Sequence, residues 1–151
     1  MAREFSPKEV SIRCVGEIGR EVEPTLANLP QTLDLIGKVA QHELPRHYAW
    51  ADIFVFPTIH DGFAVVLTQA LANGLPVLTT AHCSGPDLIE EGRTGWILPI
   101  RSPKAFIERI RWCLSNRHRL TVQLDLIQES YRARTWDDVA LDFETLVMEG
   151  M

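Results

Sequence analysis

Two polar side chains, Asp61 and Gln69, interrupt an otherwise apolar run and are the residues best placed in this sequence to bind a ligand. The run opens with His60-Asp61-Gly62, is broken only by Thr68 and Gln69, and stops at Asn73-Gly74. A regular helix from Asp61 would place Asp61 and Gln69 about 12 Å apart along its axis. That distance would reach from one end of a nucleotide sugar to its ribose.

The residues that follow Asp61 predict a site for an anion. Phe63, Ala64 and Val65 would supply the unpaired N–H groups of a first helical turn. Such groups, together with the helix dipole, favour a phosphate. The structural alternatives are that Asp61 is a plain N-cap and that Gln69 is a buried amide satisfied by the backbone. The residue types alone favour the structural roles and a ligand site about equally. The position of Asp61 after a predicted strand favours a ligand site.

The elements around this run predict the α/β class. Ile53–Phe56 is continuously apolar and β-rich and is followed by Pro57, which is typical of a strand buried on both faces. Four other short strands are predicted to alternate with helices: Val10–Val15, Leu33–Ile36, Val77–Thr80 and Trp96–Leu98. This alternation predicts a doubly wound parallel sheet with helices on both faces. Ligands of such sheets bind at the carboxyl ends of the strands, where Asp61 would lie.

Helices are predicted between the strands and throughout the last third of the chain. The first ones are Leu44–Trp50, Phe63–Asn73 with Gly74 as its C-cap, and Gly85–Glu91. The helical last third has three parts. Its first helix is capped by Ser102 and opened by Pro103, its second carries Leu120, Leu124, Ile127 and Tyr131, and its third starts at Thr135 and carries Val139, Phe143 and Leu146. Apolar stripes at helical spacing are typical of core positions.

Length and composition indicate one ordinary globular domain over residues 1–151. The net charge is −5 and the basic residues are not clustered, which argues against a nucleic-acid partner. No apolar run approaches the ~18 residues of a membrane span, so no transmembrane segment is expected. The first ten residues are charged and do not resemble a signal peptide. Three widely separated cysteines favour a reduced, cytoplasmic chain.

Three short patterns fail the tests for other chemistries. His42 and His47 are five residues apart with Pro45 between them, whereas a zinc helix of the HExxH type needs a spacing of four. Ser84 lacks the glycine two residues earlier that a hydrolase nucleophile elbow uses. Gly16 and Gly19 follow a strand, but two glycines alone are weak evidence for a phosphate loop. None of these three patterns predicts a metal site or a catalytic residue in this chain.

Four segments in register resemble the C-terminal, donor-binding domain of the group 1 (family 4) retaining glycosyltransferases of the GT-B fold. Ala49–Thr58 is similar to the family run "ya-aDvfv-PS", and Asp61–Val77 to "EGFGlvllEAmacGlPVv". Glu91–Pro99 is similar to "dG-tGflvp", and Thr135-Trp136 to "fsW". The resemblance covers about Val10 to Leu146, which is nearly the whole chain.

The resemblance implies a role for each residue of the candidate site. By this resemblance, Asp61 would contact the donor sugar and Gln69 would bind the ribose. The diphosphate and sugar would be contacted by the backbone of four residues: Gly62, Phe63, Ala64 and Val65. The resemblance assigns the nucleotide base to the loop after the second strand, with Gly37, Lys38 and Val39 as candidates, although Lys38 is at least as typical of a solvated lysine. This chain differs from the family pattern at three of these positions: Asp61 and Gln69 replace glutamates, and Ala64 replaces a glycine.

The resemblance also implies what lies outside the chain. The family's donor domain begins with a strand and helix that carry an Arg/Lys pair, and an N-terminal acceptor domain precedes it; neither has a counterpart here. The expected function is transfer of a glycosyl group from a nucleotide-diphosphate sugar with retention, without a metal, by a larger enzyme that is cytoplasmic or peripheral to the membrane. The isolated piece is expected to be inactive.

Two other classes remain as alternatives at this stage. A non-catalytic nucleotide-binding or interaction module would keep this fold and lose the chemistry, as the changes at Asp61 and Gln69 permit. A receiver or flavodoxin-like domain is disfavoured by the order of the motifs and by the three terminal helices.

Overall fold

The computed structural model describes residues 1–26 and 28–149 and has the predicted alternation of strands and helices. The strands are β1 (Ile12–Val15), β2 (Leu33–Gly37), β3 (Phe54–Val55), β4 (Val77–Thr80) and β5 (Gly95–Leu98). The helices are α1 (Glu23–Leu26), α2 (Leu44–Trp50), α3 (Val65–Ala72), α4 (Gly85–Leu88), α5 (Pro103–Ser115), α6 (Arg117–Ser130) and α7 (Trp136–Glu149). Three short 3-10 turns cover Ala2–Glu4, Arg20–Val22 and Gln41–Glu43.

Every strand pair in the described residues is parallel, which confirms the predicted class. The strands form a two-stranded sheet, β1-β2, and a three-stranded sheet in the order β3-β4-β5. β4 is central in the second sheet and all four of its residues are buried. The prediction that Ile53–Phe56 is buried on both faces is confirmed only in part: Phe54 and Phe56 pack against one core cluster and Ile53 and Val55 against another, but all four residues are half-buried.

Helices cover both faces of the β3-β4-β5 sheet. Successive residues of β4 point to opposite faces, so Val77 joins one apolar cluster and Leu78 joins another. The first cluster is built on α3 and includes Leu67 and Leu71, which are essentially inaccessible to solvent. The second is built largely on α5 and includes Phe106. The first cluster holds α3 against one face of the sheet and therefore positions the start of α3, where the candidate site lies.

The end of α3 confirms the predicted glycine cap. Gly74 has φ +78°, its N–H donates to the Leu71 carbonyl at 2.9 Å, and the Leu75 N–H donates to the Ala70 carbonyl at 3.0 Å. This pair of bonds is the Schellman arrangement, which favours glycine because the cap residue is left-handed. Leu75 then enters the core before Pro76 and β4.

One predicted helix start and one predicted side-chain cap differ from the structure. α3 begins at Val65 instead of Phe63, because Ala64 has φ −2° and ψ 69° and is not helical. Ser102 does precede α5 and Pro103 is its first residue, but the Ser102 side chain makes no capping hydrogen bond. The sequence thus predicts each helix start to within two residues. It does not predict whether the side chain before the helix makes a capping hydrogen bond.

The predicted core role of the α7 stripe is wrong. α7 has no buried residue, and its large apolar side chains are exposed, with Trp136 at 87%, Phe143 at 68% and Leu146 at 69%. The helical spacing correctly predicted a helix with an apolar face, but spacing alone does not determine whether another element covers that face. Among the residues that the structure describes, no helix is long and apolar enough to cross a membrane.

Candidate functional site

The loop between β3 and α3 is held by the loop that follows the neighbouring strand β4. The Thr79 hydroxyl donates to the Phe56 carbonyl at 3.1 Å, and the Thr80 hydroxyl donates to the Thr58 carbonyl at 2.9 Å. The Asp61 N–H donates to the His82 carbonyl at 3.0 Å. Because β3 and β4 are parallel, their carboxyl ends lie at the same edge, and these bonds fix the loop there. Asp61 is therefore placed at the edge where the sequence predicted it.

Asp61 organises the start of α3 through its side chain. Its Oδ1 accepts the Ala64 N–H at 2.6 Å, and Ala64 is the N-cap of the helix. The bond closes a turn over three residues, which explains why the helix begins only at Val65. One carboxylate oxygen thus acts locally, as the structural alternative requires, while Oδ2 has no hydrogen-bond partner in the described residues. The prediction of a regular helix from Asp61 is wrong for the same reason.

The segment after Asp61 forms an open surface. A methyl group added at Gly62 would meet no atom within 4 Å, so its backbone can be approached closely. Phe63 is 60% exposed and Val65 56% exposed. By contrast, the Ala64 side chain is 3% exposed and belongs to the core cluster of α3. Ala64 therefore offers a ligand neither its methyl group nor a free backbone group, because its N–H donates to Asp61 Oδ1 and its carbonyl accepts the Leu67 N–H.

Gln69 lies two turns further along the chain and is half-buried. Its Oε1 accepts the Tyr48 hydroxyl of α2 at 2.9 Å. Burial raises the pKa of Tyr48 above the ordinary tyrosine value, so the phenol remains a donor at neutral pH. The partner of Gln69 is thus a side chain, whereas the structural alternative had the backbone satisfy this amide. Sequence reasoning missed Tyr48, since a tyrosine on a predicted helix carries no signal of this contact.

Lys38 and Val39 follow β2 in the other sheet. Lys38 is exposed and Val39 is half-buried, and no ion pair involves Lys38 in the described part of the chain. No hydrogen bond or ion pair joins either residue to Asp61 or Gln69 among the described residues. The structure therefore places Asp61 to Val65 at one edge and links Gln69 to α2, while Lys38 and Val39 follow a strand of the other sheet.

A second side-chain pair that the sequence did not indicate connects β1 to α2. The Arg13 guanidinium carbon lies 3.8 Å from the centroid of the Trp50 ring, in a cation–π contact. The Arg13 Nε is buried and has no hydrogen-bond partner in the structure. The contact fixes the end of α2 that carries Tyr48, because Trp50 is the last residue of that helix.

The arrangement can bind an anion and orient polar groups. The first-turn N–H groups of Val65 and Val66 have no acceptor within the helix, so they can donate to an anion. Within residues 1–26 and 28–149 no three His, Cys, Asp or Glu side chains gather in a way that could hold a metal ion. The chemistry open to this site is recognition of a phosphate beside a hydroxylated group.

Comparison with known proteins defines the class. The chain belongs to the family described as "Glycosyl transferases group 1", which it matches over residues 2–116. The putative colanic acid biosynthesis glycosyltransferase WcaL of Salmonella typhimurium is 32% identical over 88 residues, covering 54% of this chain and 22% of WcaL. The GDP-mannose-dependent alpha-(1-6)-phosphatidylinositol monomannoside mannosyltransferase of Mycobacterium tuberculosis is 29% identical over 112 residues, covering 69% of this chain and 29% of that protein.

The fold is that of GT-B glycosyltransferases. The crystal structure of Anabaena Alr3699/HepE in complex with UDP matches with a TM-score of 0.79 at 19% identity, covering 97% of this chain and 43% of HepE. At that identity the likeness establishes the fold. The chain spans less than a third of the length of the two relatives above.

Proposed function

We propose that this chain is the donor-binding part of a glycosyltransferase that moves a glycosyl group from a nucleotide-diphosphate sugar to an acceptor with retention. The observation that carries the proposal is the position of Asp61, which caps the start of α3 at the carboxyl edge of β3 and β4. Membership of the group 1 family and the UDP-bound relative of the same fold support a nucleotide sugar as the ligand.

Each part of the donor has a candidate contact. The backbone from Gly62 to Val65 takes the diphosphate, because the N–H groups of Gly62, Phe63 and Val65 lie at a helix start with open space beside Gly62, whereas the Ala64 N–H is already bonded to Asp61. Asp61 Oδ2 takes the sugar hydroxyls, Gln69 takes the ribose, and Lys38 with Val39 takes the base. These groups bind and orient the donor, and the backbone amides stabilise the departing diphosphate. No residue of this chain is assigned as a general acid or base, and no metal is invoked.

Nucleotide binding by the 151-residue chain is the first prediction. UDP, GDP, ADP and CMP at millimolar concentration, with UDP-glucose and GDP-mannose, are compared by thermal unfolding. A ligand that binds only the folded state raises the midpoint, by about 5–10 °C at a hundredfold excess over its Kd. We expect one base to give a clear rise and its sugar derivative a larger one. Equal midpoints with and without all six compounds would refute the donor site.

We also propose that a second, acceptor-binding domain covers α7. The relatives are three to five times longer than their matched segments, so they contain further domains. The helix exposes Trp136, Phe143 and Leu146, and also carries five carboxylates but no lysine or arginine. Repulsion between acidic helices disfavours a second copy of this helix as the covering surface. The charge pattern instead fits an apolar surface with a basic rim.

The exposed face gives the second prediction. Phe143→Glu and Leu146→Glu should each change the thermal midpoint of the 151-residue chain by less than about 2 °C, because neither side chain is buried. The matched control is Phe106→Glu on α5, whose side chain is 3% exposed and whose charge would be buried without a partner. Thermal unfolding followed by circular dichroism measures all three. A large loss for either α7 variant would mean that the face is already covered within this chain.

A further inference from the structure

The contact between Tyr48 and Gln69 decides which end of the Gln69 amide meets a ligand. A glutamine side chain has one acceptor oxygen and one NH2 group with two donors. The Tyr48 hydroxyl occupies Oε1 at 2.9 Å. Nε2 has no hydrogen-bond partner among the described residues and is not buried. The donor end of the amide is therefore the end left to bind.

Packing holds Tyr48 where it makes this contact. Its side chain is 8% exposed and joins the apolar cluster that contains Leu67 and Leu71 of α3. The ring lies 5.7 Å from that of Phe54 at an interplanar angle of 56°. A tyrosine packed on several sides has little freedom to turn, so its hydroxyl stays within hydrogen-bond distance of the amide, and in the structure it donates to Oε1.

We propose that Tyr48 is a positioning residue that turns the Gln69 NH2 group toward the donor substrate, so that this position recognises a hydrogen-bond acceptor oxygen of the nucleotide. The proposal rests on the proposed function, since it places Gln69 in the nucleotide site. It also explains why a glutamine at this position, unlike a glutamate, needs a partner that orients its side chain. An amide has two different ends, so a partner must select one, whereas a carboxylate has two equivalent oxygens and needs no such selection.

A double-mutant cycle tests the proposal with UDP and GDP, titrated separately into the 151-residue chain. Tyr48→Phe removes only the hydroxyl and should weaken nucleotide binding about threefold to tenfold, the worth of one hydrogen bond. In the Gln69→Ala background the same change should leave the Kd unaltered. In the Gln69→Glu background, Tyr48→Phe should weaken nucleotide binding less than it does in the wild-type chain, because either carboxylate oxygen can face the ligand. An equal loss of affinity in all three backgrounds would overturn the positioning role.

A measurement without nucleotide separates this proposal from the donor site itself. The side-chain NH2 resonances of Gln69, assigned in a proton–nitrogen correlation spectrum by their loss in Gln69→Ala, should shift on Tyr48→Phe toward those of the exposed Gln128. Unchanged Gln69 resonances would overturn the positioning role whether or not a nucleotide binds. If those resonances do move but neither UDP nor GDP binds the wild-type chain, the donor site fails and the ligand half of the proposal fails with it.

Discussion

Gly95→Ala is expected to destabilise the chain more than any other single methyl insertion into the sheet. The added Cβ would lie 2.2 Å from the Val77 carbonyl oxygen and 2.9 Å from its carbonyl carbon and its nitrogen. The atoms that the new methyl group would meet belong to the backbone of Val77, and Val77 is held in β4 between β3 and β5. Overpacked sites that can relax cost about 1–3 kcal/mol, and this one cannot relax without breaking the ladder. We expect Gly95→Ala to lower the free energy of unfolding by at least about 3 kcal/mol, or the thermal midpoint by about 6–12 °C.

Gly62→Ala is the matched control. A methyl group there meets nothing within 4 Å and the backbone is not left-handed, so the thermal midpoint should stay within about 2 °C of the wild-type value. Chemical and thermal unfolding followed by circular dichroism compare the two variants. A Gly95→Ala chain as stable as wild type would mean that β4 and β5 can separate locally, in conflict with their close register.

Local chemistry explains which elements were predictable. β4 was predicted with its observed bounds because Pro76 precedes a continuous β-rich run, and the end of α3 because Asn73-Gly74 supports a left-handed cap. The start of α3 was not predictable, since Asp61 could either cap a helix directly or close a turn before it. The structure has the second arrangement, with Oδ1 bonded to the Ala64 N–H.

The errors about burial have a different cause. Ile53–Phe56 and the stripe of α7 both have apolar patterns of the expected period, yet one is half-buried and the other exposed. A pattern reports which face is apolar, while burial depends on which other elements lie against it. The same limit applies to the site: the sequence identified Asp61 and Gln69, but not Tyr48, whose contact with Gln69 joins residues 21 apart in the chain.

Asp61 is expected to have the largest single effect on recognition of the sugar. Its Oδ1 is bonded to Ala64 and its Oδ2 is free in the described structure, so one side chain both shapes the loop and offers a charged acceptor. Loss of a hydrogen bond to a charged group costs about 1.5–3 kcal/mol, which is roughly tenfold to a hundredfold in affinity. Asp61→Ala should therefore weaken UDP-glucose or GDP-mannose by that factor, and weaken UDP or GDP much less.

Asp61→Asn separates the two roles of this side chain. The asparagine Oδ1 can still accept the Ala64 N–H, so the thermal midpoint should remain close to wild type, whereas Asp61→Ala should lose about 1 kcal/mol of capping. Asparagine nevertheless lacks the charge that strengthens a bond to a sugar hydroxyl. Calorimetric titration should then show that Asp61→Asn weakens the nucleotide sugar while leaving the bare nucleotide unchanged. If Asp61→Asn binds both kinds of ligand as the wild-type chain does, while Asp61→Ala weakens both equally, Asp61 acts only by shaping the loop, and the sugar must be bound elsewhere.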